Sequence, residues 1–287
     1  MHTIHLEGGL GNQLFMVFAV MSHAFKHKSS FYIEDVKIQT GTRKKTYWDS
    51  FLKPLKPFCK NMNPEKLNMY REPCFHYTEI PPFHNDIHVK MTGYYQSYKY
   101  FHEYRDEIFK LIELEKRKEE VRQKLNRESS SCWDTTVSMH FRIGDYKKLP
   151  QYHQVLPLQY YKNALTGLMQ NNNNVLWTVL YFCEDEDVEE VAAKVNALSV
   201  DFPTMKFERM AERGLEDWEE ILAMSLCRHH IIANSSFSYF GAYFNNNTRG
   251  EEEKEVQVYY PSVWFGPALA DKNTKDICPP NWIKVTM

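Results

Sequence analysis

The sequence has few of the features that mark secreted, metal-binding or membrane-spanning proteins. None of its six cysteines belongs to a C-x-x-C pair, which argues against a disulfide framework and against a zinc knuckle. Its longest apolar run covers only the eight residues from Leu14 to Met21, whereas a membrane-spanning helix needs roughly 20. The first residues, MHTIHLEGG, show no signal-peptide pattern. We therefore expect a cytoplasmic protein with reduced thiols and no integral membrane anchor.

The sequence also lacks an excess of charge of either sign. It has 35 Lys and Arg residues against 37 Asp and Glu residues, so its formal net charge is −2. No global field then attracts nucleic acid, and any anion-binding site must be local. The patterns H-E-x-x-H, G-x-S-x-G and G-x-x-x-x-G-K-[ST] are missing, and the twelve histidines show no metal-ligand spacing. These absences argue against nucleic-acid binding, a protein metal site, and hydrolase or P-loop chemistry.

What is present predicts a globular α/β protein. A chain of 287 residues with 43% apolar content corresponds to about two domains of roughly 150 residues. The first 36 residues predict a β-α-β unit with a strand over 3–7, a glycine turn, an apolar helix and a second strand. Residues 37–100 have weak periodicity, and a charged amphipathic helix over 101–127 is expected to close the first domain.

The second half alternates strands and helices more plainly. Strands are predicted over 135–141, 175–182 and 230–234, and helices over 157–170, 187–198 and 216–227. This alternation favours a parallel sheet with helices on both faces. We therefore expect two domains, at 1–128 and 129–287, the second one doubly wound.

The first candidate site is the glycine turn GGLGNQ over 8–13. Gly9 and Gly11 let the backbone approach a ligand closely, and a helix N-terminus offers N–H groups to an anion. Together with the polar side chains of Asn12 and Gln13, they indicate a site for a phosphate or a sugar hydroxyl. The alternative is a structural turn in which Asn12 caps the helix.

The same turn matches the dinucleotide-binding pattern G-x-G-x-x-G only in part. Gly9 and Gly11 fit, but Leu14 stands at the third glycine. Glu34 and Asp35 end the next predicted strand, where that pattern has an acidic residue for the ribose. A nicotinamide-dependent oxidoreductase is therefore a rival interpretation.

The second candidate site follows the strand predicted over 135–141, in the segment FRIGDY. Ligands of open α/β sheets bind outside the carboxyl ends of the strands. The forked guanidinium of Arg142 suits a diphosphate, and Gly144 permits close approach. Asp145 can orient the arginine or accept a hydroxyl proton. An inert surface loop is the alternative.

The third candidate site is NSSFSYFGAYF over 234–244, after the next apolar strand. Ser235, Ser236 and Ser238 give a helix N-terminus lined with hydroxyl groups, which suits phosphate oxygens. The alternative is a serine N-cap on a buried aromatic helix, and that description fits Phe240 and Phe244.

A fourth segment, Glu184-Asp185-Glu186-Asp187, directly follows a predicted strand. Its carboxylates could hold a divalent cation, or could bind the ribose or base of a nucleotide. The alternative is that they complement the dipole of the helix that begins there.

Taken in order, these segments resemble the metal-independent α-1,2-fucosyltransferases of the galactoside or H-antigen type. The resemblance is carried by GGLGNQLF, HFRIGDY and NSSFSYFGAYFN, and is extended by YFCEDE, LAMSLCRHHIIANSS and CPPNWIKV. It spans the chain and implies a GT-B-like architecture, in which two Rossmann-like domains face a cleft and the C-terminal one holds GDP-fucose. The implied reaction moves L-fucose from GDP-β-L-fucose to a glycan hydroxyl, α-1,2 to a galactoside, with inversion and with neither metal nor cofactor.

The resemblance also implies roles for single residues. Arg142 would stabilise the charge on the departing GDP, His140 would brace its loop, and the serines would complete a phosphate cradle. Asn12 and Gln13 would face the reaction centre from the other domain. The predicted catalytic residues are Arg142, Asp145, Asn12 and Glu7. The predicted donor contacts are Gly9, Gly11, Gln13, His140, Gly144, Glu184, Asp185, Asn234, Ser235, Ser236, Phe237 and Ser238.

The chain departs from the family pattern at two places. Many relatives carry a second arginine where this chain has Ile143, and a tryptophan pair where it has Tyr239 and Phe240. The latter two are expected to keep an aromatic pocket wall, and the aromatic residues of 37–100 to shape the acceptor pocket.

Two questions stay open at this point. Asp145, Glu7 and His5 are all candidates for the base that deprotonates the acceptor. A different nucleotide sugar and a non-catalytic glycan-binding protein are alternatives to GDP-fucose transfer.

Overall fold

A computed structural model describes eight stretches of the chain. They cover residues 1–34, 45–62, 67–84, 87–125, 130–171, 175–210, 214–245 and 256–287. The contacts divide the chain into a first unit, Met1–Arg117 with Lys272–Pro279, and a second unit, Lys118–Asp271 with Pro280–Met287. The division thus falls upstream of residue 128, and a short C-terminal segment returns to the first unit. Among the described residues, no helix has both the length and the apolar content needed to cross a membrane.

The first unit is built on short parallel strands. Its elements are β1 (His2–Ile4), α1 (Leu10–Lys26), β2 (Ile33–Glu34), β3 (Cys59–Lys60), β4 (Leu67–Arg71), β5 (His88–Thr92) and α2 (Arg105–Leu111). The strands β1, β5 and β4 form a sheet in the order β1-β5-β4, and β2 pairs with β3. All these pairings are parallel, so the segments that follow β1, β4 and β5 leave the sheet at one edge.

Helix α1 is buried on nearly every face, as its unbroken apolar sequence predicts. It begins at the glycine turn and ends at Lys26, so the predicted turn and helix are confirmed. The strand before them is also present, but it covers His2–Ile4 and not residues 3–7. Phe15 and Phe18 pack edge-on against Phe101, with ring centroids 5.7 and 5.6 Å apart. The helix thereby fixes the glycine turn to the core of the first unit.

The predicted helix over 101–127 is wrong in one respect, because it is broken in two. Helix α2 ends at Leu111, and α3 (Leu114–Leu125) begins after Glu113, whose φ is 53°. Ile112 and Leu114 are both buried. In a continuous helix their side chains would point about 200° apart, and the break lets both face the interior.

The second unit contains one six-stranded, wholly parallel sheet. Its strands are β6 (Thr136–His140), β7 (Thr178–Phe182), β8 (Lys206–Arg209), β9 (His229–Ile231), β10 (Val258–Pro261) and β11 (Ile283–Val285). Its helices include α4 (Leu158–Asn171), α5 (Val188–Asp201), α6 (Asp217–Leu226) and α7 (Ser236–Tyr243). The predicted strands and helices of this half are thus confirmed to within a few residues, while β8, β10 and β11 are additional.

The strand order of this sheet is that of a Rossmann fold. Along the sheet the strands run β8-β7-β6-β9-β10-β11, which is the order 3-2-1-4-5-6. The chain therefore reverses its direction of travel between β6 and β9. In such sheets the crevice outside the carboxyl ends of these two strands is where ligands bind. The two segments that follow β6 and β9 contain the second and third candidate sites.

Three buried histidines lie on β6 and β9, and their rings stay neutral. Burial lowers the pKa of His140, His229 and His230 to about 3, and the Arg142 guanidinium adds to this at His140. The Nε2 atom of His230 lies 2.9 Å from the amide nitrogen of Asn245, which can only donate. The ring proton of His230 therefore lies on Nδ1, 2.8 Å from a serine hydroxyl.

These rings make the protein less stable in acid. The unfolded chain protonates histidines below about pH 6.5, but the folded rings stay neutral down to about pH 3, so stability falls as the pH drops through this window. The free energy of unfolding of both proteins should fall between pH 7.5 and pH 5. We expect the fall to be about 2 kcal/mol smaller in His230→Gln than in the wild type. Urea unfolding at both pH values measures this difference. Equal losses in the two proteins would contradict the prediction.

Candidate active site

The loop after β6 presents Arg142 between two carboxylates. Its guanidinium donates to Asp145 Oδ1 at 2.6 Å and to a carboxylate oxygen of Glu184. It also lies over the ring of Tyr146, 5.2 Å from the centroid. Burial opposes the charge, but Glu184 and Asp145 outweigh it and raise the pKa of Arg142. The group is a fixed cation, oriented from two sides.

Gly144 brings the loop close to the acidic segment after β7. Its N–H donates to the buried carboxylate of Asp187 at 2.6 Å. A Cβ at this position would lie 1.9 Å from Glu184 Oε2. Only glycine therefore fits beside Glu184 as it stands.

Ile143 lies between Arg142 and Gly144 in the sequence, but its side chain points into the core. Its side chain is 2% exposed and belongs to the core of the second unit. In this loop the side chain at position 143 therefore faces the core.

The turn after β9 is held from several sides. The Asn234 amide nitrogen donates to the backbone carbonyls of Gln154 and Trp264, at 2.9 and 3.1 Å. Ser235 is the N-cap of α7, and its hydroxyl accepts from the N–H of Phe237. These contacts fix the N-terminus of α7 at the carboxyl edge of the sheet.

The loop after β6 and the turn after β9 touch each other. The hydroxyl of Tyr146 donates to the backbone carbonyl of Asn234 at 2.9 Å. The rings of His140 and Phe237 lie 5.6 Å apart. Two motifs that are about 90 residues apart in the sequence thus form one site at the switch point.

One predicted contact residue of this segment, Ser238, has a structural role in the turn. Ser238 is buried, and its hydroxyl accepts from Ala233 N–H and donates to the Ser235 carbonyl. Tyr239 and Phe240 are fully buried, so the aromatic pocket wall expected from them is wrong. Of the three serines, Ser236 is the one that stays half-exposed at the first turn of α7.

The carboxylates of the acidic segment after β7 bind different partners. Glu184 binds Arg142, Asp187 holds Gly144, and the exposed Asp185 pairs with Arg209 at 2.5 Å. These three carboxylates thus have partners on neighbouring elements, Arg142 and Gly144 on the loop after β6 and Arg209 at the end of β8. In the described part of the chain, no three His, Cys, Asp or Glu side chains come together in a group that could hold a metal ion.

The glycine turn of the first unit begins α1. Gly8 has φ 71° and Gly9 is the N-cap, with open space where a Cβ would stand. Gly11 is buried in the first turn of the helix. Gln13, a predicted donor contact, is 0% exposed and donates to the carbonyls of Gly8 and Lys45, at 3.0 and 2.8 Å. It supports the turn from inside.

Two candidates for the base lie just before this turn. His5 Nε2 and Glu7 Oε1 are 3.4 Å apart, and both side chains are about half exposed. Asp145, the third candidate, is about half exposed beside Arg142. All three are accessible to a ligand, and the choice among them stays a prediction.

The segment Gly93 to Ser97 follows β5 at the carboxyl edge of the first sheet. It was not predicted from the sequence. The Gln96 amide nitrogen donates to Asn12 Oδ1 at 2.7 Å. Glu72, after β4, accepts from the backbone N–H groups of Tyr94 and Tyr95. Burial raises the pKa of Glu72 to about 7 although both N–H groups favour its charged form. The sequence TGYYQS begins with the last residue of strand β5 and is a sign of a strand followed by a turn. The weak periodicity of residues 37–100 kept this strand from being predicted.

The expectation that aromatic residues of 37–100 shape an acceptor pocket is wrong for several of them. The core of the first unit takes up Tyr47, Trp48, Phe51 and Tyr95, none of which is more than 3% exposed. Glu34, considered for a ribose, forms an ion pair with Lys90 at 2.7 Å, and Asp35 lies outside the described residues.

The chain is similar to known glycosyltransferases over nearly all of its length. The family described as glycosyl transferase family 11 matches residues 1–283. An alpha-1,2-colitosyltransferase from Escherichia coli is 25% identical, over 98% of this chain and 97% of that protein. The O-antigen biosynthesis glycosyltransferase WbnK from Escherichia coli is 27% identical, over 52% of this chain and 44% of its own. The resemblance to α-1,2-fucosyltransferases is thus confirmed at the level of the family, and the chain belongs to glycosyl transferase family 11.

Proposed function

We propose that the protein transfers L-fucose from GDP-β-L-fucose to a glycan hydroxyl, α-1,2 to a galactoside, with inversion and without a metal ion. Membership of the family makes it a glycosyltransferase that uses a nucleotide-sugar donor and a glycan acceptor. The choice of donor sugar and of linkage rests on the motif resemblance. The GT-B arrangement of two domains is part of the same proposal.

The observation that carries the proposal is the pairing of two loops at the switch point of the second sheet. Arg142 lies after β6, the N-terminus of α7 follows β9, and Tyr146 bonds the first loop to the second. A guanidinium and a helix N-terminus are both well suited to bind phosphate. Together they suit a leaving diphosphate.

Arg142 and its two carboxylate partners together carry a charge of −1, from one cation and two anions. A diphosphate brings further negative charge, so its oxygens must take the place of at least one carboxylate on the guanidinium. Glu184 and Asp145 are both more than 40% exposed and can turn away. They thus keep Arg142 oriented until the donor arrives.

In this scheme Arg142 stabilises the charge that grows on the diphosphate as the glycosidic bond breaks. Once Glu184 turns away, Gly144 leaves room for phosphate oxygens, the N-terminus of α7 offers them N–H groups, and neutral His140 braces the loop. Asn12 acts at the reaction centre, and Glu7, His5 or Asp145 is the base that removes the acceptor proton. Gly9 leaves the glycine turn open to a ligand.

One observation favours a second donor. The Escherichia coli relative that this chain matches over 97% of the relative's length is named a colitosyltransferase. A colitose nucleotide is therefore the alternative donor substrate. A nicotinamide-dependent reaction has no such support, because the family is one of glycosyltransferases.

A donor screen tests the proposal. We expect turnover of GDP-fucose with a galactoside acceptor, unchanged by EDTA, and an α-1,2 linkage in the product by NMR. Turnover of a colitose nucleotide alone would assign the second donor, and turnover of UDP-sugars alone would overturn the proposal. Strict Mg²⁺ or Mn²⁺ dependence would contradict the metal-independent mechanism and return attention to Asp185 and Asp187.

A further inference from the structure

The segment Gly93–Ser97 is held rigidly at the edge of the first sheet. Glu72 Oε2 accepts from the N–H groups of Tyr94 and Tyr95, both at 3.0 Å. At the other end, the Ser97 hydroxyl donates to the carbonyl of Asp276 at 2.6 Å, a contact between buried groups. The segment is therefore fixed on both sides of Gln96.

The backbone of this segment is also strained. Gly93 has φ 133°, and Tyr95, a non-glycine residue, has φ 51°. Tyr95 is fully buried. A non-glycine residue keeps such a conformation only where its surroundings impose it. The feature that this conformation presents to the glycine turn is the side chain of Gln96.

Gln96 decides how the Asn12 carboxamide is turned. It is 9% exposed, and its amide nitrogen donates to Asn12 Oδ1 at 2.7 Å. Because a carboxamide has an accepting end and a donating end, this bond fixes which end faces where. The Asn12 Nδ2 atom then lies over Gly8, 2.6 Å from the place where a Cβ would stand.

We infer that Gln96 is a positioning residue for Asn12, and that it holds the NH₂ end of the Asn12 carboxamide toward the glycine turn. This inference rests on the proposed function, in which Asn12 acts at the reaction centre. A donor group at Asn12 suits a substrate oxygen that gains negative charge during transfer. Gln96 itself need not touch the substrate.

A double-mutant cycle tests the inference. Gln96→Ala is expected to lower kcat about tenfold, the worth of one well-oriented hydrogen bond, with little change in the KM of the donor. In an Asn12→Ala background the same substitution should change kcat less than twofold, because the residue it positions is gone. Equal losses in the two backgrounds would overturn the inference, since a merely structural role of Gln96 would act in both.

A second measurement does not depend on turnover. In ¹⁵N-labelled protein, the side-chain NH₂ signals of Asn12 are assigned by their loss in Asn12→Ala. Gln96→Ala is expected to shift them, whereas Gln123→Ala, which removes an exposed glutamine bonded to Glu119, should leave them in place. Unmoved signals in Gln96→Ala would overturn the inference, even if the wild type turned over none of the donors and the proposed function failed.

Discussion

Replacing Arg142 by alanine is expected to lower kcat by about 10²–10³, the usual cost of removing one preorganised group that stabilises transition-state charge. The fold should survive, because the side chain lies at the carboxyl edge of the sheet and is 18% exposed. Steady-state kinetics measures the loss of kcat. Circular dichroism and thermal unfolding check that the fold is preserved. A variant with near-normal turnover would contradict the role of Arg142.

Two further variants separate the causes of that loss. Arg142→Lys keeps the charge but not the fork, so it should fall between the alanine variant and the wild type. Without the guanidinium, Glu184 and Asp145 are left unpaired and repel a diphosphate. Adding Glu184→Ala should therefore recover only part of the activity, and full recovery would show that the arginine merely masks its neighbours.

The matched control is Arg122→Ala on α3. This arginine also pairs with a carboxylate, that of Glu119 one turn away, but it lies outside the candidate site. Surface ion pairs of this kind contribute little to stability, so turnover should stay unchanged.

Gly144→Ala is expected to lower kcat about tenfold, because its Cβ would overlap the Glu184 carboxylate and turn away one of the two groups that orient Arg142. The test is a cycle with Glu184→Ala, which removes the overlapping carboxylate. In that background the additional alanine at 144 should cost little. If Gly144→Ala is equally harmful with and without Glu184, the contact is not the cause and the main-chain bond to Asp187 is the next candidate.

The parts of the fold that could be predicted are those with strong local signals. The apolar run of α1, the glycine turn before it and the β-α alternation after residue 135 all match the structure. Because carboxyl ends of parallel strands meet at one edge, the alternation also predicted where Arg142 and Ser235 lie.

The features of the structure that could not be predicted from the sequence depend on contacts between distant segments. Strand β4 is short and mostly exposed, so its sequence LNMYR has no apolar alternation to detect. The bond between Gln96 and Asn12 joins residues 84 positions apart, and neither residue type indicates the other. The burial of Ser238 and Tyr239 follows from packing of α7, which a serine-rich helix start does not predict.

Strand β6 lies between the two halves of its sheet and is bonded along both sides, to β7 and to β9. All five of its residues are buried. A chain cut short before residue 229 would keep β6, β7 and β8 but leave one backbone edge of β6 bare. Bare edges of apolar strands pair with other molecules, so such fragments are poor choices for expressing the second unit alone.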